Sequence, residues 1–307
     1  MSKTACIFHS VDLDGWMSAA IVQLWWEQNL RDADKTSLTM IGYNYGQPIP
    51  DLTSFDQVIM CDISFSKEEM DKLNNQLELK NLIWIDHHIS AINEMNAALF
   101  NGLRDVKFSA CELTWKYLFP SKDMPEIVRL LGRYDCFGHK GTSEETKVLE
   151  FQYGARQIIS NNEQAYEWLQ NCMIEQKNKP KEFAPCEFRI WESGKSIYAY
   201  LCTDAKQAYQ NRFTIYFGEY AFCAINKERF NPINFGIQYH NDRADDVYFY
   251  DGCACFYRRS DGKWSFSLYN DNGIVDCSII AKSFGGGGHK GAAGFVVDNV
   301  GLLNLLK

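Results

Sequence analysis

The sequence predicts an α/β protein in two parts: an N-terminal parallel sheet with helices on both faces, and a smaller α+β domain joined to it by a linker helix. Three observations predict this. Short, wholly apolar runs at Ala5-Cys6-Ile7-Phe8, Val58-Ile59-Met60-Cys61 and Leu82-Ile83-Trp84-Ile85 alternate with helical patterns, as strands buried on both faces do. From Phe213 onward the chain carries closely spaced β-rich runs instead. Between these regions, Glu187 to about Asn211 reads as one long helix, preceded by a Lys- and Pro-bearing stretch at 177–185. The predicted boundaries are 1–184 for the first domain, 185–211 for the linker helix and 212–307 for the second domain.

Within the first domain, Asp14 to Leu30 has a helical spacing of apolar residues, and Ser66-Lys67-Glu68-Glu69 reads as a helix start. Residues 125–134 place Ile127, Leu130, Leu131 and Tyr134 on one stripe that runs directly into Asp135. In the second domain, β-rich runs begin at Phe213, Ala221, Val247 and Cys253, and Ser260-Asp261-Gly262-Lys263 turns a hairpin into Trp264–Tyr269. A short helix over 276–284, a glycine run and a last strand over 294–298 follow.

A chain of 307 residues is long enough to bury a large core without disulfides or structural metals. No run approaches the length of a membrane span, and the N-terminus lacks the apolar stretch of a signal peptide, so a soluble, cytoplasmic protein is expected. The eleven cysteines include no C-x-x-C pair, and they read as reduced, mostly buried thiols. Residues 1–184 carry a net charge of −8 and residues 185–307 a net charge of zero. A long polyanion would therefore be repelled by the first domain unless bound cations reversed the local sign.

The residues suited to chemistry recur at one kind of place. His9, Asp12 and Asp14 follow the first strand, Asp62 ends the second apolar run, Asp86-His87-His88 ends the third, and Asp135 closes a helix. In a parallel sheet these positions meet in one crevice beyond the carboxyl ends of the strands. Five carboxylates packed there without cations would raise one another's pKa values. Divalent ions resolve the conflict. A mixed Asp and His shell suits manganese, and two ions about 3.5–4 Å apart would share carboxylates and hold water for in-line attack on phosphorus. The three-residue interval from His9 to Asp12 aims His9 away from this site along a regular strand, unless the strand end bulges or turns. His139 reads as a surface-loop histidine and Cys111 as a buried thiol.

These motifs resemble those of the DHH family of phosphoesterases. His9-Ser10-Val11-Asp12-Leu13-Asp14-Gly15, Cys61-Asp62, Asp86-His87-His88 and Arg133-Tyr134-Asp135 are similar to its four motifs in order, and Phe284 to Phe295 (FGGGGHKGAAGF) is similar to the signature of the DHH-associated C-terminal domain. The resemblance implies two Mn2+ ions bridged by Asp62 and Asp135, with His9 and Asp12 completing one shell and Asp14 and His87 the other. It leaves His88 to meet the scissile phosphate or the leaving oxygen, or else to orient His87. Gly285, Gly286, Gly287 and Gly288 would let the backbone approach a phosphate closely, with His289 and Lys290 adding donors and His289 also serving catalysis. Tyr269 stands where many oligoribonuclease relatives carry an arginine, as a base-stacking surface or an ordinary strand aromatic.

The activity implied is manganese-dependent exonucleolytic hydrolysis of short oligonucleotides in a cleft between the domains. A phosphomonoesterase acting on a nucleoside bisphosphate, a cyclic-dinucleotide phosphodiesterase and a degenerate binding or scaffold module are the alternatives. The expected partner is a short oligonucleotide or small nucleotide, with no membrane and no long nucleic acid, and there is room for a homo-oligomer.

Overall fold

The computed structural model describes residues 2–29, 36–77, 81–95, 99–178, 185–228, 230–239 and 250–305. The first sheet contains β1 (Ser2–His9), β2 (Thr36–Tyr43), β3 (Gln57–Cys61) and β4 (Leu82–Ile85), in the order β2-β1-β3-β4 and parallel throughout. Strand alternation divides its side chains between two cores. Cys6, Phe8, Ile59, Cys61, Ile83 and Ile85 pack with α1 (Leu13–Asn29), α4 (Ala110–Leu118), α5 (Glu126–Asp135), α6 (Glu145–Ile158), α7 (Asn162–Asn178) and the start of α8 (Pro185–Gln210). Ala5, Ile7, Val58, Met60, Leu82 and Trp84 face the other way, against α2 (Lys67–Gln76) and α3 (Ile89–Glu94). A one-residue slip of register would exchange these sets, so burial on both faces fixes the register that aligns the strand ends.

Strand β2 has no counterpart among the apolar runs of the sequence. Its Thr- and Ser-bearing segment lies at the sheet edge and is mostly half-exposed, so it lacks the continuous apolar signature of the inner strands. Helix α2 starts in the predicted segment, capped by the Ser66 side chain, which accepts from the Glu69 N–H. The cysteines need one correction: Cys172 on α7 and Cys186 at the start of α8 form a disulfide. Spacing alone hid this pair, because the two residues sit on separate helices and meet only through the packing of those helices. No helix among the described residues is long and apolar enough to cross a membrane.

The chain divides into two compact units, Met1–Ile197 and Tyr198–Lys307, and the division falls inside α8. The second unit contains β5 (Phe213–Phe217), β6 (Tyr220–Asn226), β7 (Gly252–Arg258), β8 (Trp264–Tyr269), α9 (Cys277–Ser283), β9 (Gly287–His289), β10 (Ala292–Val297) and α10 (Asn299–Leu305). Its sheet runs β5-β6-β7-β8-β10-β9, with β6 and β7 parallel and the other neighbours antiparallel. The β7–β8 hairpin turns where predicted, with Gly262 at a φ of 80°. Of the predicted run Val247 to Tyr250, only Tyr250 lies within the described residues, and most of 177–185 lies at or beyond the edge of them.

The glycine run is not a loop throughout, since Gly287 and Gly288 belong to edge strand β9, paired with β10. A Cβ on Gly286 would lie 2.1 Å from the Gly294 carbonyl oxygen, and Gly288 combines a φ of 138° with similarly close backbone, whereas a Cβ on Gly287 would meet open space. Two demands therefore overlap in one motif, close strand packing at Gly286 and Gly288 and an open backbone at Gly287. Gly286→Ala should destabilise the second unit by about 1–3 kcal/mol through overpacking, while Gly287→Ala should stay within about 0.5 kcal/mol of wild type. Denaturant unfolding of the two variants measures the difference, and equal losses would contradict this packing.

Candidate metal centre

The aligned ends of β1, β3 and β4 deliver the chemistry-bearing residues to one edge. Asp62 follows β3 with a φ of 62°, a left-handed conformation that few residues other than glycine adopt, and its N–H donates to the Ile85 carbonyl. This turn stops the strand and holds a carboxylate that is only 2% exposed. After β1 the chain turns through residues 10–12 into α1, where Asp12 Oδ1 accepts from the Gly15 N–H as a helix cap. A Cβ on Gly15 would lie 2.0 Å from the His9 carbonyl oxygen, so glycine is required for α1 to start this close to the strand end. The turn also meets the condition on which His9 can face the site. Strand parity ends at His9 itself, and its Nδ1 comes within 2.9 Å of Asp12 Oδ2 and 3.5 Å of Asp62 Oδ2.

The side chains form adjoining donor sets, His9 with Asp12 and Asp62, Asp14 with His87 and Asp135, and Asp62 with His87 and His88. His87 Nε2 lies 3.2 Å from Asp135 Oδ2, 3.4 Å from Asp62 Oδ1 and 3.7 Å from Asp14 Oδ2. Asp62 thus faces both the His9 side and the His87 side, while Asp135, delivered by the last turn of α5, stands with Asp14 and His87. Buried Asp62 Oδ1 and His9 Nδ1 have near neighbours but no aligned hydrogen bond. Donor atoms that converge without satisfying one another fit a divalent cation, which would satisfy them together.

Two supports hold the cluster. Asp14 is buried, and its oxygens accept from the Ala110 and Cys111 N–H groups at 2.8 Å each, at the first turn of α4. That helix is fixed by a capping box between Ser109 and Glu112. Asp86, fully buried, accepts from Trp84 Nε1 and from the N–H groups of His87 and His88, and it holds His88 Nδ1 at 2.7 Å. Asp86 thereby orients the imidazole of His88, a role that its place before two histidines does not by itself disclose.

The electrostatics follow from this crowding. Burial and the neighbouring Asp62 push Asp14 up to about 6, and burial with the Asp14 charge raises Asp135 well above the usual carboxylate range. Burial opposes the charged form of His87, but the surrounding carboxylates outweigh it and push the group up to about 10, and Asp12 and Asp62 do the same for His9. For Asp12 and Asp86 burial is likewise overcome, by His9 and His88 respectively, and both carboxyls stay below their usual range. Without metal the imidazoles thus act as the counter-cations, and metal entry must displace their protons.

Other candidates are placed differently. His139 is buried at 1% exposure rather than on the surface; its ring stacks on Tyr134, and its Nδ1 lies 2.9 Å from the Arg133 carbonyl. Cys111 is fully buried, as expected. His289 and Lys290 are exposed at and just beyond β9 in the second unit, and Tyr269 is half-buried at the end of β8. Arg156 of α6 joins the candidates only through the structure: its guanidinium lies 5.1 Å and 5.3 Å from the ring centres of Tyr134 and Tyr153 and donates to the Tyr134 hydroxyl. Its signal, a lone arginine on a helix, is indistinguishable in sequence from a surface charge.

Asp62→Asn keeps the side-chain shape, tolerates the left-handed backbone and removes one buried charge. The metal-free variant should melt at the same temperature as wild type or higher, and manganese should no longer raise its melting temperature as it does for wild type. Thermal unfolding with and without the ion checks both, and full manganese stabilisation of the variant would contradict a shared role for Asp62.

Comparison with known proteins agrees with the motifs and the fold. Residues 4–131 match the model of the DHH family, N-terminal domain. An uncharacterised protein, R106 of Acanthamoeba polyphaga mimivirus, is 24% identical over an alignment covering 97% of this chain and 71% of that protein. Among solved structures, the pGpG-specific phosphodiesterase PggH of Vibrio cholerae is similar with a TM-score of 0.52 at 12% identity, covering 100% of this chain and 96% of that one. The DHH domain of a protein assigned to a family of ribosomal proteins gives a TM-score of 0.51 at 13% identity, over 99% and 85% of the two chains. Residues 4–131, which bring these aspartate and histidine motifs to one edge of the parallel sheet, are thus similar to the N-terminal domain of the DHH family.

Proposed function

We propose that the protein is a metal-dependent phosphoesterase that hydrolyses phosphodiester bonds in short nucleotides. The observation that carries this reading is the pair of donor sets joined through Asp62, one reaching His9 and Asp12 and the other His87, Asp14 and Asp135. Two divalent ions held there would neutralise the carboxylates, take the phosphate's non-bridging oxygens and make water acidic enough to attack phosphorus in line. The mixed oxygen and nitrogen donors favour manganese among the common divalent ions. Asp135, half-buried beside Asp14 and His87, is proposed as a second bridging ligand.

The remaining residues divide the work. His88, oriented through Nδ1 by Asp86, would use Nε2 to protonate the leaving oxygen as the P–O bond breaks. Arg156, against the ring of Tyr134 next to Asp135, would supply a positive charge suited to a phosphate oxygen. In the second unit, Gly287, His289 and Lys290 would hold a terminal phosphate through backbone N–H groups and side-chain donors. The net charge of −8 over 1–184 and zero over 185–307 offers no extended basic track, which favours short substrates over long strands. The likeness to a phosphodiesterase named for pGpG supports a dinucleotide over a nucleoside bisphosphate.

The full chain should be assayed with manganese on RNAs of two to five nucleotides, a nucleoside bisphosphate and cyclic dinucleotides. The expected result is fastest turnover on linear dinucleotides, with a shallow salt dependence that reflects a few phosphate contacts. His289→Ala should lower kcat/KM on a dinucleotide. Preference for long single strands with a steep salt slope, or turnover confined to the bisphosphate, would overturn the proposal.

A further inference from the structure

Beside the donor sets, and within the same unit, lies a cavity of about 490 Å3. This is within the ~300–1,000 Å3 range of small-ligand sites. It opens at the same sheet edge, lined by the segment after β2, the segment after Asp62 and helix α3. None of these lining residues belongs to a donor set, but all three segments continue from strands that end at the site.

The lining has a definite chemical character. Tyr45 is 53% exposed and shares the cavity wall with Ser64, two residues after Asp62. Its ring centre lies 6.1 Å from that of His9. The ring thus stands beside the donor sets while much of its surface remains open. Gln47, Phe65, Ser90 and Glu94 complete the working part of the wall. Among the described residues lining the cavity there is no lysine and no arginine, and Glu94 would repel an anion. A phosphate is therefore the wrong occupant. A flat, uncharged heteroaromatic ring with N–H donors and ring acceptors is the right one, stacking on Tyr45 and meeting the amide, hydroxyls and carboxylate along its edge.

We infer that this cavity is a nucleobase pocket, with Tyr45 as its stacking platform, and that it receives the base of the nucleotide whose phosphate lies at the donor sets. This deepens the phosphodiesterase reading and rests on it for the position of the phosphate. It assigns to the catalytic domain itself a share of substrate recognition, on the His9 and Asp12 side, that does not depend on the glycine run of the second unit. A base stacked on Tyr45 would also fix the phosphate's rotation, because the ring stands next to that of His9, a member of the donor sets.

The test compares binding of adenosine and guanosine 5′-monophosphate with binding of ribose 5-phosphate, which has the same phosphate and no base. The full chain is loaded with manganese, and affinities are read by calorimetry, so no turnover is required. Wild type should bind the nucleotides about tenfold or more tightly than the sugar phosphate, as expected for one base on an aromatic ring. Tyr45→Ala should bring the ratio close to one, while Tyr45→Phe, which keeps the ring, should largely retain it. Glu94→Gln should change the ratio between the two bases. Equal affinity of wild type for nucleotide and sugar phosphate, or an unchanged ratio in Tyr45→Ala, would overturn the pocket. A preserved ratio in a protein that hydrolyses no nucleotide would uphold the pocket and sink the phosphodiesterase reading, so the two can fail separately.

Discussion

Mutual repulsion among carboxylates gathered at one end of a buried sheet is the constraint to which the rest of the first unit answers. Asp14 and Asp62 are nearly inaccessible, and Asp135 is crowded enough that its carboxyl is raised well above the usual range. Such a group would disperse if each member were free to turn toward water. The fold prevents that with backbone supports. Asp14 is tied to two N–H groups at the start of α4, Asp62 is locked in a left-handed turn, and Asp12 doubles as the cap of α1. Three imidazoles then supply the missing positive charge, and this is why His9 and His87 are held so far above their ordinary pKa. A cluster so constrained exchanges protons for divalent cations without having to reorganise.

The parallel sheet was legible in the sequence because its inner strands are apolar on both faces, and the motif residues were legible because each falls just beyond such a strand or at a helix end. Strand β2 was not legible, since an edge strand half-open to solvent carries no continuous apolar run. The disulfide between Cys172 and Cys186 depends on how two separate helices meet, which spacing does not encode. His9 illustrates a subtler limit. The alternation rule is sound inside a strand, but the interval to Asp12 crosses a turn, and the rule does not extend there. Asp86 was visible as part of a motif, yet its work of orienting His88 appears only once the Nδ1 contact is seen.

The same physical economy runs through the second unit. In the glycine run, Gly286 and Gly288 serve the packing of β9 against β10, and Gly287 presents backbone without a close neighbour. A signature that reads as a uniform phosphate loop thus places two structural glycines around an open position. Under the proposed function, the cavity beside His9 and the open backbone at Gly287 would each take a share of recognition.

The central claim is that Asp62 joins two cation sites into one centre. Titrating the metal-free full chain with Mn2+, while recording its electron paramagnetic resonance spectrum, tests it most directly. Binding of two ions per chain, with a spectrum broadened by magnetic coupling between them, is the predicted result. Saturation at one ion, or two ions giving independent uncoupled signals, would contradict it.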